Sequence, residues 1–384
     1  MMNTEYTTST GYKIFYSVLG LLAVGFALFL FKVPSHADSK LIFLLPLFIL
    51  VLGIMIIVNQ LKRKLTISDS SVTYANVFRT REIPFDHIKG FRIGSKVIYI
   101  ESDQDGRKIT MNDYLSLGDS DSLKDWLRGN FKDLDKEDYE SEKDAILHDA
   151  SLGATEQDRE QKLRNAKIAA IGYSMGGILL VFVVVIVHRV SYAMSYLLMA
   201  YPLVGLVLMA LSQGLIRLVT KKSSAYKPAL IGILAPSFML IVQVISKTEM
   251  VSYDKLWVPA LAVAFVMFIA LYFTGIRRSP QAVAASLIVA VAVSALYGFG
   301  TVLQINCVFD KSSPEIYKTT VVDEYISHGK STSYNLKLGA WGPVRKSVNV
   351  TVSRSFYHQT PVGASVQVYL KKGTLNIPWY YVNQ

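Results

Sequence analysis

The chain has 384 residues, of which 51% are hydrophobic and only 18% charged, and its formal net charge is +11. A soluble enzyme breaks up a comparable apolar fraction with charge, so this balance argues against that class and for a multi-pass membrane protein. A single cysteine, Cys307, excludes an intramolecular disulfide and any cysteine-based zinc framework within one chain.

Two apolar runs open the chain, "YKIFYSVLGLLAVGFALFLFK" from Tyr12 and "LIFLLPLFILVLGIMIIV" from Leu41. Each is long enough to cross about 30 Å of hydrocarbon as a helix, so residues 1 to 61 are predicted as two transmembrane helices. The sequence "SHADS" offers a small-residue cleavage site near Ala37. The first apolar core is longer than a signal peptide's usual run of about seven to fifteen residues, and Lys13 is its only basic start, so an anchor is expected.

Residues 62 to 132 form a soluble insert. "KLTISDSSVTYANVFRTREIPFDHIKGFRIGSKVIYIESDQDGRKITMN" alternates short β-rich runs with the turn signals "SDSS", "FRTRE" and "DQDGR". Ile67, Val72, Tyr74, Val77, Ile83, Val97, Tyr99 and Ile109 are predicted to supply the one-sided strand faces. "DSDSLKDWLRGNF" then places Leu123, Trp126, Leu127 and Phe131 on one face of a helix behind a Ser/Asp cap. The expectation is a twisted antiparallel sheet closed by one amphipathic helix.

The stretch "LTISDSSVTYANVFRTREIPFDHIKGFRIG", with the hairpin and the Trp126 helix after it, resembles a bacterial pleckstrin-homology-like domain over about seventy residues, and "IPFDHIKGFR" carries most of the likeness. The resemblance implies a binding or assembly module rather than a catalyst. Lipid-binding eukaryotic relatives hold inositol phosphates with basic residues around the first hairpin. Here that turn reads Ser68-Asp69-Ser70-Ser71, so phosphoinositide recognition is not expected. The basic residues left as candidate anionic-lipid contacts are Lys62, Arg63, Lys64, Arg79 and Arg81.

Residues 133 to 166 are highly charged and read as a solvated helical connector, with Thr155 as the cap of a helix that runs straight into the membrane. Glu140, Glu142, Asp144, His148 and Asp149 have no recognised metal-ligand spacing, so a solvated face is expected and no cofactor or metal is called for.

Residues 167 to 306 contain five further apolar runs, starting at Ile168, Tyr192, Pro228, Trp257 and Ala282, for about seven spans in all. Pro46, Pro202, Pro236 and Pro259 fall inside runs, where membrane helices tolerate them. Lys62, Arg63 and Lys64, then Arg159, Lys162, Arg164 and Lys167, then Arg217, Lys221, Lys222 and Lys227, then Arg277 and Arg278 crowd alternate connections. The other connections carry only Lys32 and Lys40, Arg189, and Lys247 and Lys255. Basic flanks belong on the cytoplasmic side of a bacterial cell membrane, which predicts the amino terminus inside and the carboxyl terminus outside. They also account for most of the net positive charge, so a nucleic-acid partner is not expected.

The third run contains "IGYSMGG", which has the Gly-x-Ser-x-Gly form of a hydrolase nucleophile elbow around Ser174. An elbow needs a strand before the serine, whereas "EQKLRNAK" before it is charged and helical. His188 lies fourteen residues along, about 21 Å on a straight helix. A histidine from another segment, His87 or His148, stays open as a base. The favoured reading is that Gly172, Gly176 and Ser174, with Ala166 and Ala170, form a small-residue face for helix packing.

Residues 307 to 384 contain five alternating runs, "EIYKTTVVDEYI", "TSYNLKL", "SVNVTVS", "SVQVYLKK" and "PWYYV", and read as a small antiparallel barrel or sandwich. Tyr334, Trp341, Tyr357 and Trp379 either fill its core or the membrane interface, which is the simpler reading, or present a ligand-sensing face.

The fold expected is therefore an α-helical transmembrane bundle with a cytoplasmic pleckstrin-like sheet-plus-helix domain and an extracytoplasmic all-β domain. Its expected role is assembly or signalling without catalysis, with the lipid bilayer and a protein partner or second copy as partners. A carrier or channel for an apolar or lipidic substrate is the alternative, since no ionisable residue sits at mid-span and only Gln213 and Gln243 stand out near span ends. An intramembrane hydrolase using Ser174 is the remaining one.

Overall fold

The computed structural model describes residues 4–32, 43–104, 106–187, 192–276, 283–328 and 332–382. Ala37, Lys40, His188, Arg189, Arg277 and Arg278 lie outside the described residues. The chain divides into two compact units, Met1–Glu142 and Lys143–Gln384.

The first unit starts with a strand that the sequence reading does not contain, β1 (Thr4–Thr7), followed by helices α1 (Thr10–Lys32) and α2 (Leu44–Lys62). The two helices meet at glycines. A Cβ at Gly20 would lie 2.8 Å from the Gly53 carbonyl, and one at Gly53 the same 2.8 Å from the Gly20 carbonyl, so any side chain here would force the pair apart. After α2 come β2 (Lys64–Ile67), β3 (Ser71–Ala75) and β4 (Thr80–Pro84). With β1 they form an antiparallel sheet in the order β1-β2-β3-β4. Because β1 pairs with β2, the amino terminus and the insert lie at the same end of the α1/α2 hairpin.

A second antiparallel sheet of β5 (Ile88–Ile93), β6 (Val97–Ser102) and β7 (Lys108–Asn112) packs with helix α3 (Ser120–Asn130) on the same core. Leu65, Phe91, Ile98, Ile100, Ile109, Leu123 and Leu127 are fully buried there. The expected face is correct for Ile67, Val72, Tyr74, Ile83 and Ile109, but on β6 it is the other one: Ile98 and Ile100 are buried, while Val97 and Tyr99 are half-buried. "VIYI" is apolar at every position, so alternation cannot choose its face. Trp126 and Phe131 are partly buried and meet edge-on, with ring centroids 5.4 Å apart.

The connector is helical as expected, with α4 (Leu134–His148) followed by α5 (Glu156–Val187). Thr155 and Asp158 cap α5 reciprocally: the Asp158 amide donates to Thr155 Oγ1 at 3.1 Å, and the Thr155 amide to the Asp158 carboxylate at 3.1 Å. Helix α5 is continuous across residue 166, where a domain boundary was expected.

Then follow α6 (Tyr192–Leu211), the paired dipeptides β8 (Ile216–Arg217) and β9 (Lys227–Pro228), α7 (Leu230–Ile245), the short strand β10 (Glu249–Met250), α8 (Trp257–Leu271) with a π-helical turn Tyr272–Ile276, and α9 (Val283–Cys307). Six helices among the described residues are long and apolar enough to cross a membrane, in place of the seven expected. The exception is α7, since α8 with its flanking 3-10 and π turns reaches 23 residues, Asp254–Ile276. The 16 residues of α7 span about 24 Å, short of the hydrocarbon thickness of about 30 Å. The run expected from Pro228 becomes helical only at Leu230, because Lys227–Pro228 is taken up as β9 against β8; the preceding connection buries Leu215, Ile216, Leu218 and Ala225 in the bundle core. Arg217, expected in a basic loop, is buried with its guanidinium 3.2 Å over the Tyr226 ring.

The carboxyl-terminal region is mostly sheet, a near-barrel. Strands β11 (Glu315–His328), β12 (Thr332–Leu338), β13 (Val348–Val352), β14 (Ser365–Lys371) and β15 (Trp379–Val382) fall on the five predicted runs, with helix α10 (Arg354–Gln359) between β13 and β14. The order is β10-β15-β14-β11-β12-β13, antiparallel throughout. A strand from the α7/α8 connection thus joins this sheet.

Candidate functional site

Ser174 lies within the uninterrupted helix α5, so the strand-turn-helix geometry of a nucleophile elbow does not occur around it. His148 Nδ1 is 2.9 Å from the Asp144 carbonyl and 3.3 Å from its carboxylate. The small-residue contact exists at Gly176 but not at Gly172, and it extends to Gly177, which was not among the expected residues. Gly172 is exposed, with nothing near the place its Cβ would occupy. The close approach is at Gly177, whose Cβ would lie 3.0 Å from Gly232 Cα in α7. Gly176 faces the Tyr201 hydroxyl, and Ser174 is half-buried. Ala166, Ala170, Tyr173 and Gly177 repeat at three- and four-residue spacing along the buried face, and that spacing is the signal that distinguishes Gly177 from Gly172. Tyr173 and Tyr201 stack with centroids 5.0 Å apart, and each hydroxyl donates to the other's carbonyl, at 3.1 and 2.7 Å. This arrangement joins α5 to α6.

The basic residues separate into different roles. Arg63 is only 5% exposed, and its guanidinium donates to Ser116 Oγ at 2.8 Å, to the Tyr74 hydroxyl at 3.3 Å, and to the carbonyls of Asp113 and Asn112. It ties the end of α2 to the turn after β7, so it is withdrawn from the lipid contacts. Arg81 lies in β4 rather than in the turn and donates to the Lys108 carbonyl. Lys64 pairs with Glu5 of β1 at 2.9 Å on the surface, an arrangement worth little on its own. Lys62 and Arg79 are exposed. Arg79 ends the Asn76 turn, in which Asn76 Oδ1 accepts from the amides of Phe78 and Arg79. It also borders a cavity of about 600 Å³ with Tyr16, Gln60, Phe78 and Asp113, where the buried Gln60 Oε1 has no hydrogen-bond partner. Of the five basic candidates, Arg79 and Arg63 reach this cavity, and only Arg79 does so with an exposed side chain.

A polar node where α9 ends carries more structural weight, and it was missed by the sequence reading. The buried Asn306 donates to the Ile377 carbonyl at 2.9 Å and accepts the Leu375 amide at 3.1 Å. The Asp310 carboxylate accepts from the amides of Ser312 at 2.7 Å and Gly373 at 2.9 Å and from Trp379 Nε1 at 2.9 Å, with Lys371 Nζ 4.0 Å away. Burial penalises the Asp310 charge, but these donors outweigh it and hold the carboxyl below the ordinary 3.8. Gly373 has a φ of +76°, and a side chain there would strike the Ile377 carbonyl. Asn306 and Asp310 in "QINCVFD" are the legible trace, polar residues closing an apolar run. Trp341, Tyr357 and Trp379 are buried and Tyr334 partly so, in accord with the core-filling reading.

Among the described residues no cluster of His, Cys, Asp and Glu could hold a metal ion. Comparison of the chain with protein-family models, with curated proteins and with solved structures finds no match.

Proposed function

We propose that this chain is a multi-pass assembly or signalling protein of a cell membrane, without catalytic activity, in which an outer β module transmits a binding event to the helices. The observation that carries this reading is the membership of β10 in the carboxyl-terminal sheet. β10 pairs with β15 through Glu249–Tyr380 and Met250–Trp379, and it lies directly between α7 and α8. A ligand that shifts β15 therefore pulls on both helices, while Asn306 and Asp310 tie the neighbouring loop to α9. The sheet-plus-helix fold of residues 64 to 130 supports the pleckstrin-like resemblance, and with it a second binding surface at the end of the α1/α2 hairpin that carries the amino terminus. Basic flanks favour placing that surface in the cytoplasm and the carboxyl-terminal sheet outside, a reading that requires the shorter α7 to cross as well, because the six long helices alone would return both to one side.

A carrier of apolar or lipidic molecules is the second reading. It is favoured by an apolar cavity of about 370 Å³ between α6, α8 and α9, bordered by Leu203, Val266 and Tyr297. The two are separated by purifying the full chain in mild detergent and identifying what remains bound. A stoichiometric protein partner that is lost from an Asp310→Ala variant supports assembly through the outer module. Retained apolar solute with no partner overturns it in favour of the carrier.

A further inference from the structure

Beside the node at the end of α9 is a cavity of about 640 Å³ whose wall includes Gln243, Lys247, Cys307, Asp310, Lys371 and Trp379. Gln243 is 5% exposed, and its Oε1 accepts from Gln304 Nε2 at 2.8 Å. The same Gln304 nitrogen also donates to the Leu240 carbonyl at 2.9 Å. Gln243 Nε2 is left buried without an acceptor. An unpaired amide donor away from water costs free energy that a ligand oxygen recovers, which makes the position selective for an acceptor. The charge is equally one-sided. Two ammonium groups, Lys247 and Lys371, face one carboxylate, Asp310, whose oxygens already take three donors. Tyr192 and Val308 supply an apolar wall, and Tyr192 stacks on Phe309 with centroids 5.5 Å apart. Aromatic rings at the ends of apolar helices mark headgroup depth.

We infer that this cavity is a binding site for an anionic phospholipid, with a phosphate oxygen taken by Gln243 Nε2, the negative charge by Lys371 and Lys247, and the first part of the acyl region by Tyr192 and Val308. The inference rests on the membrane reading but not on any protein partner.

The test uses the full chain, delipidated in a neutral maltoside detergent, with native mass spectrometry to count bound lipid. Phosphatidylglycerol is the probe, phosphatidylcholine the zwitterionic control, and glycerol phosphate and inorganic phosphate the soluble controls. Wild type is expected to retain one phosphatidylglycerol in preference to phosphatidylcholine. Gln243→Glu keeps the acceptor for Gln304 while replacing the donor with an acid, and should weaken retention about tenfold, the worth of one hydrogen bond to a charged group. Lys247→Ala, at an exposed position, should weaken it about threefold and only at low salt. Lys247→Ala should unfold at the wild-type temperature in lipid-free detergent, while Gln243→Glu, which buries a carboxyl, should unfold somewhat lower. If Gln243→Glu does not fold, Lys247→Ala together with the salt dependence decides. Equal retention by wild type and Lys247→Ala at low salt, no preference over phosphatidylcholine, or inorganic phosphate binding as tightly as the lipid would each overturn the inference. A chain recovered outside the membrane fraction would instead overturn the membrane reading beneath it.

Discussion

Arg63 shows how a charge that reads as a membrane flank can be a structural tether. It stands in "LKRK" after an apolar run, yet it is buried and satisfies four acceptors from two segments, β3 and residues 112 to 116. Arg63→Met should destabilise the first unit by about 2–4 kcal/mol, because those acceptors lose a charged partner without gaining water. Lys62→Met, at an exposed site, should change little, and thermal unfolding of the two variants compares them. In α5 the size of the residue at 177 matters and the hydroxyl at 174 does not. Ser174→Ala should leave yield and function unchanged, removing at most an interhelical hydrogen bond of about 0.6 kcal/mol. Gly177→Leu should cost about 1–3 kcal/mol by driving α5 from Gly232, whereas Gly172→Leu should be tolerated. Fluorescence-detected size-exclusion of the three variants reads the difference, and a serine-directed fluorophosphonate that labelled wild type but not Ser174→Ala would reverse the assignment. Asp310 gives a pH dependence. Its folded-state pKa is depressed, so its stabilisation is present above the ordinary 3.8 and lost as pH falls through the folded value. Asp310→Asn should therefore unfold at lower temperature near neutrality and show a flatter acid limb than wild type.

Among the elements, β1 alters what counts as a module. The sequence reading bounded the soluble insert at residue 62, but Tyr6 of β1 is buried in its core, and β1 supplies the partner for β2. Cut ahead of Arg63, the fragment also exposes β2 as an unpaired edge beside Leu65. The Arg63 to Lys132 fragment should thus melt below a version in which Thr4 to Ser9 is joined ahead of Arg63 by a short Gly/Ser linker. Equal melting temperatures would mean that β1 contributes nothing to the module's stability. The glycine contacts work on the same scale. Gly20 with Gly53, Gly177 with Gly232, and Gly298 against α8, where a Cβ would lie 2.7 Å from the Ala264 nitrogen, bring backbones close where lipid offers no hydrophobic drive for association.

For the molecule as a whole, the decisive measurement is sidedness. Cys307 is buried and is a poor reporter. In a Cys307→Ser background, a cysteine placed at the exposed Lys346 between β12 and β13 should react with a membrane-impermeant maleimide in intact spheroplasts. One at the exposed Arg79 should react only after lysis. The reverse pattern would place residues 64 to 130 outside and remove the cytoplasmic reading, and equal reactivity of the two sites would mean that α7 does not cross and that six helices do.

What composition and pattern settle by themselves are the features that need no long-range partner. Runs of apolar residues long enough to cross a membrane mark α1, α2, α5, α6, α8 and α9, and alternation between turn signals marks β11 to β15, because helix length and strand period are local properties of the chain. The Thr155 cap is legible for the same reason. Tertiary structure decides the rest. An apolar run of 18 residues from Pro228 becomes a 16-residue helix because Lys227–Pro228 pairs with Ile216–Arg217 instead of joining it. A four-residue stretch at the amino terminus becomes a strand because Lys64 to Ile67 offers it an edge. The chain's polar side chains acquire different roles, tether for Arg63, anchor for Asp310 and unpaired donor for Gln243, through neighbours that are tens of residues away in sequence. Hydrogen-bond satisfaction and close packing depend on partners that the chain brings together only by folding, so they leave little trace in any local pattern.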